Sequence, residues 1–468
     1  MSESFYFAPS ALTPEGWVEG LRLGVTGGRV SSLAQASAPS QGDLRLAGPL
    51  LPGMPNGHSH SFQRAMAGRA EWRARGLELA DSHFWSWREE MYRWALRLEP
   101  EALGALAALV ALEGLKAGFT SVCEFHYLHH DPRGARYAQL DELSARVILG
   151  MRGVGVAVTQ LPVLYQQAGF NQLPPLDEQR RFICSFEEYE RLVSSLRARF
   201  AQDQGVVVGL APHSLRAVSP VALSALSELS IRLAEGRGAP PVHIHIAEQQ
   251  AEVEGALARL GARPVDWLLD QLELGGNWSL IHSTHVTERE LERLAERGVV
   301  VGLCPTTEAN LGDGVFPLRR YLDRGGLISI GSDSNVSASI AEELRLLEYG
   351  QRLQQQRRNV AALAVPSRDG AQLHVGAGLW GAAVRGGGRA SARPCELRLG
   401  DWADWVVLDP DDEALWGLEG PQLVDAWVFA SRRPQVRDAF VAGEQLLFEG
   451  RHPHEEQIKA EARRQLSP

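Results

Sequence analysis

The chain has 468 residues, of which 44% are hydrophobic and 22% are charged, and its formal net charge is −10. This composition is typical of a soluble globular protein, and the length fits one large domain with an appendage or two or three ordinary domains. The negative charge argues against a nucleic acid or an anionic membrane surface as partner. No apolar run in the sequence is long enough to span a bilayer.

The amino-terminal residues and the cysteines point to a cytoplasmic protein. The opening sequence MSESFYFAPS lacks the basic and apolar regions of a signal peptide. Four cysteines are scattered along the chain without a Cys-x-x-Cys pair, at positions 123, 184, 304 and 395. This spacing argues against a disulfide framework or a zinc finger, and it fits a reducing compartment.

Short apolar runs alternate with helical segments along most of the chain. We predict eight strands, at residues 49–58, 118–126, 153–164, 205–212, 241–247, 278–284, 299–304 and 327–332. Several are continuously apolar, which is typical of parallel strands buried on both faces. Helical periodicity lies between them, for example at 101–117 and 287–297. Eight such repeats predict a (β/α)8 TIM barrel, an α/β fold. A doubly wound sheet would instead need a glycine-rich loop after the first strand, where this chain is rich in histidine.

The two ends of the chain have a different pattern, with short strand-like runs separated by turn residues. We predict that residues 1–47 and 395–468 pair into one small β-sandwich-like domain beside the barrel, which residues 48–394 form. The glycine-rich stretch 384–394 is expected to be an exposed connection between the two.

The long segment 61–100, rich in tryptophan and arginine, follows the first strand and is expected to cover the mouth of the barrel. Its Trp85 and Trp87 are candidates for a lid over a substrate. Burial in the core is the alternative role for such large aromatic side chains.

Polar residues close four of the predicted strands at the same end. His58 and His60 end the first strand, where a period of two residues points both imidazoles to one side. The fifth, sixth and eighth strands end in His245 with Glu248, in His282 and in Asp333. Ionisable groups are costly in apolar strands unless they are paired or bind a metal. Three histidines and an aspartate form a plausible set for one divalent metal ion with a position left open for water.

Two other histidines are rivals for these positions. His243 has the same inward parity as His245 but lies deeper in the strand, and His245 is preferred because Glu248 follows it at the strand tip. His285 lies later in the same loop as His282. Taken singly, His282 could also be a hydrogen-bonded core histidine.

The order His58-x-His60, His245-x-x-Glu248, His282 and Ser332-Asp333 resembles the amidohydrolase superfamily. Three longer segments resemble the N-formimino-L-glutamate deiminases of histidine degradation. These are GMPNGHSHSFQR at 53–64, EFHYLHH at 124–130 and APHSLR at 211–216. The resemblance covers essentially the whole chain, and it implies hydrolysis of N-formimino-L-glutamate to N-formyl-L-glutamate and ammonia.

The resemblance also implies roles for individual residues. His58, His60, His245 and Asp333 would bind the metal, while Glu248, His282 and Asp333 would be catalytic. The dicarboxylate substrate calls for arginines, because a guanidinium binds a carboxylate with two hydrogen bonds. The candidate substrate contacts are Gln63, Arg88, Tyr127, His213 and Arg216. With 45 arginines in the chain, any single one is more often a surface residue.

The lysine content limits the number of metal ions. Two-metal members of the superfamily commonly bridge their ions with a carboxylated lysine at the end of strand four. Here that strand ends in His213, and the two lysines, Lys116 and Lys459, lie elsewhere in the sequence. We therefore expect a single ion, either zinc or iron(II), since His₃Asp accommodates both.

Two rival functions remain open at this point. One is a related mononuclear deaminase acting on a purine, pterin or adenosine-like ring, and the other is a barrel that binds a metal without catalysis. A structural metal site would not need Glu248 and His282 beside it. Enzymes of this size often form symmetric dimers, and the sequence leaves a homodimer open without determining the oligomeric state.

Overall fold

The computed structural model describes residues 3–71, 84–170, 172–234, 238–366, 370–431 and 436–466. Its first strands are β1 Ser4–Thr13, β2 Gly16–Thr26, β3 Arg29–Gln35, β4 Leu44–Arg45 and β5 Leu50–Pro52, and its last are β17 Trp405–Leu408, β18 Val436–Val441 and β19 Glu444–Leu447. These eight strands form one sheet with the order β19-β18-β17-β5-β1-β2-β3, and β4 pairs with β1. Both ends of the chain therefore build one flanking β-domain, with Tyr6, Trp405 and Phe440 in its apolar core.

A parallel barrel occupies the middle of the chain. Its strands are β6 Met54–Ser59, β7 Phe119–His126, β8 Ala157–Leu164, β9 Val206–Val208 with β10 Ala211–Pro212, β11 Val242–Ile246, β12 Trp278–His282, β13 Val300–Leu303 and β14 Leu327–Ile330. Pairing of Ile330 with Asn56 joins β14 to β6. Parallel bridges from Leu210 to Val242 and from Ser214 to His245 join the fourth position to the fifth, which closes the barrel. The predicted TIM barrel with a flanking β-domain is confirmed.

The helices lie between and after these strands. Their bounds are α1 Phe84–Ala95, α2 Pro100–Ala117, α3 Glu142–Val154, α4 Phe186–Arg199, α5 Pro220–Leu233, α6 Gln250–Leu260, α7 Pro264–Gln271, α8 Glu288–Glu296, α9 Pro305–Leu311, α10 Leu318–Leu322, α11 Ile340–Gln355, α12 Gly376–Ala390, α13 Gln422–Phe429 and α14 Glu455–Leu466. A short antiparallel pair, β15 Leu363–Val365 and β16 Gln372–His374, precedes α12. Within the described ranges, none of the helices combines the length and apolar character that crossing a bilayer requires.

The predicted first strand, residues 49–58, is divided in two. Gly53 separates β5, which pairs with β1 and β17 of the flanking sheet, from β6 of the barrel. The apolar run is continuous because both halves are buried. Apolar character alone could not indicate that the chain passes from one sheet to the other.

The glycine-rich stretch 384–394 is not an exposed connection, so that prediction is wrong. Most of it belongs to α12, and Gly386 and Gly387 are buried against the barrel. A Cβ atom on Gly386 would lie 1.9 Å from the carbonyl oxygen of Ile328, and one on Gly387 would lie 3.1 Å from Cβ of Pro55. These glycines let the helix approach the strands closely, although glycine disfavours helix and so suggested a loop.

Both lysines of the chain bind the same carboxylate. Nζ of Lys116, in the last turn of α2, lies 2.6 Å from Oε1 of Glu455 at the start of α14. Lys459, one turn further along α14, donates to the same oxygen. Together they hold the carboxyl-terminal helix against α2 and keep the pKa of Glu455 at about 2, against the opposing effect of its burial.

Candidate metal centre and substrate pocket

Three imidazoles and one carboxylate converge at the carboxyl ends of β6, β11 and β14. Nε2 of His58 lies 3.2 Å from Nε2 of His60 and 3.0 Å from Nε2 of His245. Oδ1 of Asp333 lies 3.5 Å from Nε2 of His58 and 3.3 Å from Nε2 of His60. All four side chains are buried.

The hydrogen bonds of two of these imidazoles determine which of their nitrogen atoms carry hydrogen. Nδ1 of His60 lies 2.8 Å from the carbonyl oxygen of Phe125, and Nδ1 of His245 lies 3.2 Å from that of His213. Because a carbonyl only accepts, each Nδ1 carries the hydrogen and each Nε2 presents its lone pair. Burial lowers the pKa of His60 to about 3 and that of His245 well below its usual range. Neutral imidazoles with lone pairs facing one another fit a divalent metal ion.

The backbone is strained where these side chains leave their strands. Ala247, His282 and Asp333 have φ angles of 51°, 70° and 46°, which are uncommon for residues other than glycine. Such conformations persist only where the surroundings enforce them, and they concentrate at functional sites. Asn335 is one such restraint, since its Nδ2 donates to the carbonyl oxygens of His60 and Asp333 at 3.1 and 2.9 Å.

His282 lies among three carboxylates. Its Nε2 is 3.8 Å from Oε1 of Glu248 and 3.7 Å from Oδ2 of Asp333, and its Nδ1 is 3.2 Å from Oε1 of Glu308. Burial opposes the charged imidazole, but the three carboxylates together raise the pKa of His282 to about 10. Burial in turn raises the pKa of Asp333 to about 7. The site therefore holds a carboxyl group whose pKa lies near neutral pH beside an imidazole whose pKa is raised well above its usual value.

The rival histidines lie outside this arrangement. Nε2 of His243 donates to the carbonyl oxygen of Ala390 at 2.9 Å, deep in the barrel. His285 is half-buried beyond His282, near Asp313 and Gly314. Among the described residues, the groups whose geometry suits a metal are His58 with His60 and His245, and the adjacent His282, Cys304 and Asp333.

The predicted substrate residues line one pocket next to this cluster. Nε2 of Gln63 donates to the hydroxyl of Tyr127 at 2.9 Å, and Nη2 of Arg88 donates to the hydroxyl of Tyr165 at 3.0 Å. The pocket is lined by His60, Gln63, Trp87, Arg88, Met91, Tyr92, Tyr127, Tyr165, Phe182, His213, Arg216, His245, Glu248, His282, Thr307, Leu311 and Asp333.

The segment expected over the barrel mouth contributes the α1 side of this pocket. Trp87, half-buried, and Arg88 both line the pocket. The side chain of Trp85 and residues 72–83 lie outside the described residues, so the lid role stays a prediction.

The end of strand four carries two of the predicted residues. Nδ1 of His213 lies 3.1 Å from Oγ of Ser214, and burial, with Arg216 and Arg88 nearby, lowers the pKa of His213 well below its usual range. Arg216 has a buried Nε that finds no hydrogen-bond partner among the described residues. A neutral imidazole beside an unsatisfied guanidinium suits an anionic group on a ligand.

Sequence reasoning missed Glu308, Tyr92, Tyr165 and Phe182 in this site. Glu308 follows the seventh predicted strand in Cys304-Pro-Thr-Thr-Glu308, and Tyr165 directly follows the third. Functional residues of TIM barrels follow the carboxyl ends of the strands, and the positions of Glu308 and Tyr165 match this pattern although their strands do not end in histidine.

A model described as the amidohydrolase family matches residues 50–372. The chain belongs to the amidohydrolase family. A second model, the amino-terminal domain of formimidoylglutamate deiminase HutF, matches residues 3–47 of this amidohydrolase. These two matches cover the barrel and the first strands of the flanking β-domain.

Individual relatives cover nearly the whole amidohydrolase. A formimidoylglutamate deiminase of Pseudomonas aeruginosa is 45% identical over 97% of this chain and 96% of its own length. The crystal structure of an amidohydrolase from Brucella melitensis is 42% identical, covers 99% of both chains and has a TM-score of 0.91. An adenosine deaminase from Xanthomonas campestris with bound zinc is 22% identical over 98% and 97% of the two chains, with a TM-score of 0.78, and shares the fold.

Proposed function

We propose that this amidohydrolase hydrolyses N-formimino-L-glutamate to N-formyl-L-glutamate and ammonia. The observation that carries the proposal is the near full-length similarity to a formimidoylglutamate deiminase. The pocket supports it, because Arg88 and Arg216 line the cavity that also contains Glu248 and Asp333. A dicarboxylate with a C=N group matches two guanidinium groups beside paired carboxylates.

The residues proposed to hold one divalent ion are His58, His60, His245 and Asp333. A bound ion of this kind supplies Lewis-acid chemistry and lowers the pKa of a water toward neutrality. Imidazole nitrogens and one carboxylate suit zinc, and iron(II) is the alternative for the same donors. Strand four ends in His213 rather than in a lysine, which supports a single ion.

Protons in the reaction are assigned to three side chains. Asp333 accepts a proton from the water as the water oxygen attacks the formimino carbon. Glu248 carries both protons of the water to the imino nitrogen in turn: the first converts C=N to C–NH₂ as the C–O bond forms, and the second lets the C–N bond break with ammonia leaving as the C=O bond forms. His282 orients the water and stabilises the negative charge that develops during the attack.

The remaining pocket residues bind the rest of the substrate. Arg216 and Arg88 pair with the two carboxylates, while Gln63, Tyr127 and His213 contact the formimino end. An arginine paired with a carboxylate forms charge-assisted hydrogen bonds, each contributing about 1.5–3 kcal/mol. Loss of either guanidinium should therefore weaken substrate binding more than it slows the chemical step.

The test is ammonia release by zinc-loaded enzyme from formimidoylglutamate, guanine and adenosine, with N-formylglutamate detected by NMR. We expect turnover of formimidoylglutamate and at least 1000-fold lower kcat/KM for the two rings, on the order set by losing a charged pair at both ends of the substrate. Turnover of a ring compound without turnover of formimidoylglutamate would replace the proposal by the deaminase alternative. The cytoplasmic location and the homodimer stay predictions.

A further inference from the structure

Gln179 lies behind the pocket wall and is fully buried, in a short 3₁₀ turn at Asp177–Gln179. Its Oε1 accepts from the backbone N–H of Leu176 at 2.9 Å. Because a backbone N–H can only donate, this bond fixes which end of the amide is oxygen. The amino group of Gln179 must then point toward the pocket.

Both hydrogens of that amino group reach tyrosine hydroxyls. Nε2 of Gln179 lies 2.9 Å from Oη of Tyr92 and 2.9 Å from Oη of Tyr165. Oη of Tyr165 also accepts from Nη2 of Arg88 at 3.0 Å. An amide NH₂ and a guanidinium have no acceptor capacity at these atoms, so both tyrosine oxygens are acceptors in these bonds.

The hydroxyl hydrogens of Tyr92 and Tyr165 are not used in these bonds. A phenol has one O–H, and when its oxygen accepts bonds from fixed donors that hydrogen must turn to another group. Tyr92 and Tyr165 both line the substrate pocket beside Arg88. If those two hydrogens point into the pocket, this part of the wall presents hydrogen-bond donors alone: one guanidinium and two hydroxyls.

We propose that Gln179 is a positioning residue that selects for a carboxylate by turning the hydroxyls of Tyr92 and Tyr165 into donors toward the pocket. It touches no substrate atom and acts through the two tyrosines. This inference rests on the proposed function, and it adds that the side-chain carboxylate of the substrate binds at the wall formed by Arg88, Tyr92 and Tyr165. A substrate carboxamide at the same place would bind less well, because its NH₂ group cannot accept a hydrogen bond from Arg88, Tyr92 or Tyr165.

The test is Gln179→Glu, which keeps the shape of the side chain. A carboxylate still accepts from Leu176, but its second oxygen accepts from both hydroxyls and so turns them away from the substrate. We expect KM for formimidoylglutamate to rise at least 30-fold with kcat within threefold of wild type. For N-formimino-L-glutamine, which carries a carboxamide in place of the side-chain carboxylate, KM should change less than threefold. Gln179→Met, which supplies none of the three hydrogen bonds, should raise KM less and with the same difference between the two substrates.

Two controls separate positioning from general damage. Gln351→Glu alters another buried amide, which is not among the residues that line the pocket. Nε2 of Gln351 donates to the carbonyl oxygen of Phe316 at a distance of 2.7 Å. This substitution should leave both KM values unchanged. In the Tyr92→Phe, Tyr165→Phe background, adding Gln179→Glu should change KM less than threefold, because no hydroxyl is left to turn.

The outcomes are distinguishable. Equal changes in KM for the two substrates, or an unchanged KM in a folded Gln179→Glu protein, would overturn the inference and leave the proposed function intact. A wild-type enzyme that releases no ammonia from formimidoylglutamate would overturn both.

Discussion

The carboxylates of Glu248 and Asp333 lie at nearly equal distances from one imidazole nitrogen, 3.8 and 3.7 Å from Nε2 of His282. The two acids come from the ends of different strands, and His282 comes from a strand between them in sequence. A proton taken at one carboxylate and delivered at the other therefore has a short distance to cross. This geometry fits the proposed division of roles, in which Asp333, a candidate metal ligand, accepts the proton of the water and Glu248 delivers a proton to the departing nitrogen.

Replacing Glu248 with glutamine should abolish proton delivery while leaving the metal in place. General acid–base groups contribute about 10²–10⁴-fold, so we expect kcat to fall by about that factor with KM little changed. Ammonia release and metal content by elemental analysis check this together. Glu254→Gln, at an exposed position on α6, is the matched control. Unchanged turnover in Glu248→Gln would remove the proton-transfer role.

Arg216→Met should weaken substrate binding without damaging the metal centre. The lost charge-assisted bonds correspond to a rise in KM of about 10–150-fold, with a smaller effect on kcat. Steady-state kinetics on formimidoylglutamate measure both, and Arg259→Met at an exposed position on α6 controls for loss of charge. A KM equal to that of the control would show that Arg216 does not bind the substrate.

Removal of the metal should lower both activity and stability. Without a cation, the Nε2 atoms of His58, His60 and His245 crowd together in a buried site. A ligand present at 1,000 times its Kd stabilises the folded state by about 4 kcal/mol, and chelation removes that stabilisation. Dialysis against a chelator should lower Tm and abolish ammonia release, and one equivalent of zinc should restore both. Full turnover by metal-free protein would contradict the metal centre.

Glu124 should make stability depend on pH. Its Oε1 accepts from the backbone N–H and the hydroxyl of Ser61, next to His60, at 2.8 and 2.7 Å. Burial nevertheless raises the pKa of Glu124 to about 7, above its usual value of 4.5. A group whose folded pKa is raised contributes stability below its unfolded pKa and loses it as the pH rises through the folded pKa.

The expected loss from Glu124 between pH 5 and pH 8 is on the order of 3 kcal/mol. Glu124→Gln should remove that share of the pH dependence. Denaturant unfolding of both proteins at pH 5 and pH 8, at equal metal content, gives the comparison. Parallel pH profiles would contradict the assignment.

Two glycines of α12 should respond in opposite ways to alanine. Gly386→Ala places a Cβ against the carbonyl oxygen of Ile328, and overpacking of this kind costs about 3 kcal/mol. Among the described residues, and apart from the two neighbouring residues and the backbone of the helix itself, no atom lies within 4 Å of a Cβ on Gly381 in the same helix, so Gly381→Ala should stabilise by about 1 kcal/mol. Thermal unfolding of the two variants measures both changes. A similar loss of stability in both variants would contradict the expectation that close packing against Ile328 distinguishes Gly386 from Gly381.

The sequence was sufficient for the barrel and for the convergence of the histidines, because both follow from local pattern. Buried parallel strands are continuously apolar, and functional side chains close them at one end. The pairing of β5 with the flanking sheet depends on contacts far apart in sequence. Gly386 was wrongly predicted to lie in a loop because its contact with Ile328 forms only in the folded chain. Gln179 was overlooked for the same reason, since folding brings it to Tyr92 and Tyr165.

The attachment of both lysines to Glu455 has a practical consequence. Lys116 lies in the last turn of α2, just before β7 begins, so it lies at the amino-terminal side of the barrel strands, opposite the carboxyl ends that hold the candidate metal ligands. Amine-reactive supports can couple to lysine only there, since the other 45 basic residues are arginines. Enzyme immobilised through these lysines would face the solution with its pocket open, and coupling would be detected as loosening of the carboxyl-terminal helix rather than as loss of turnover.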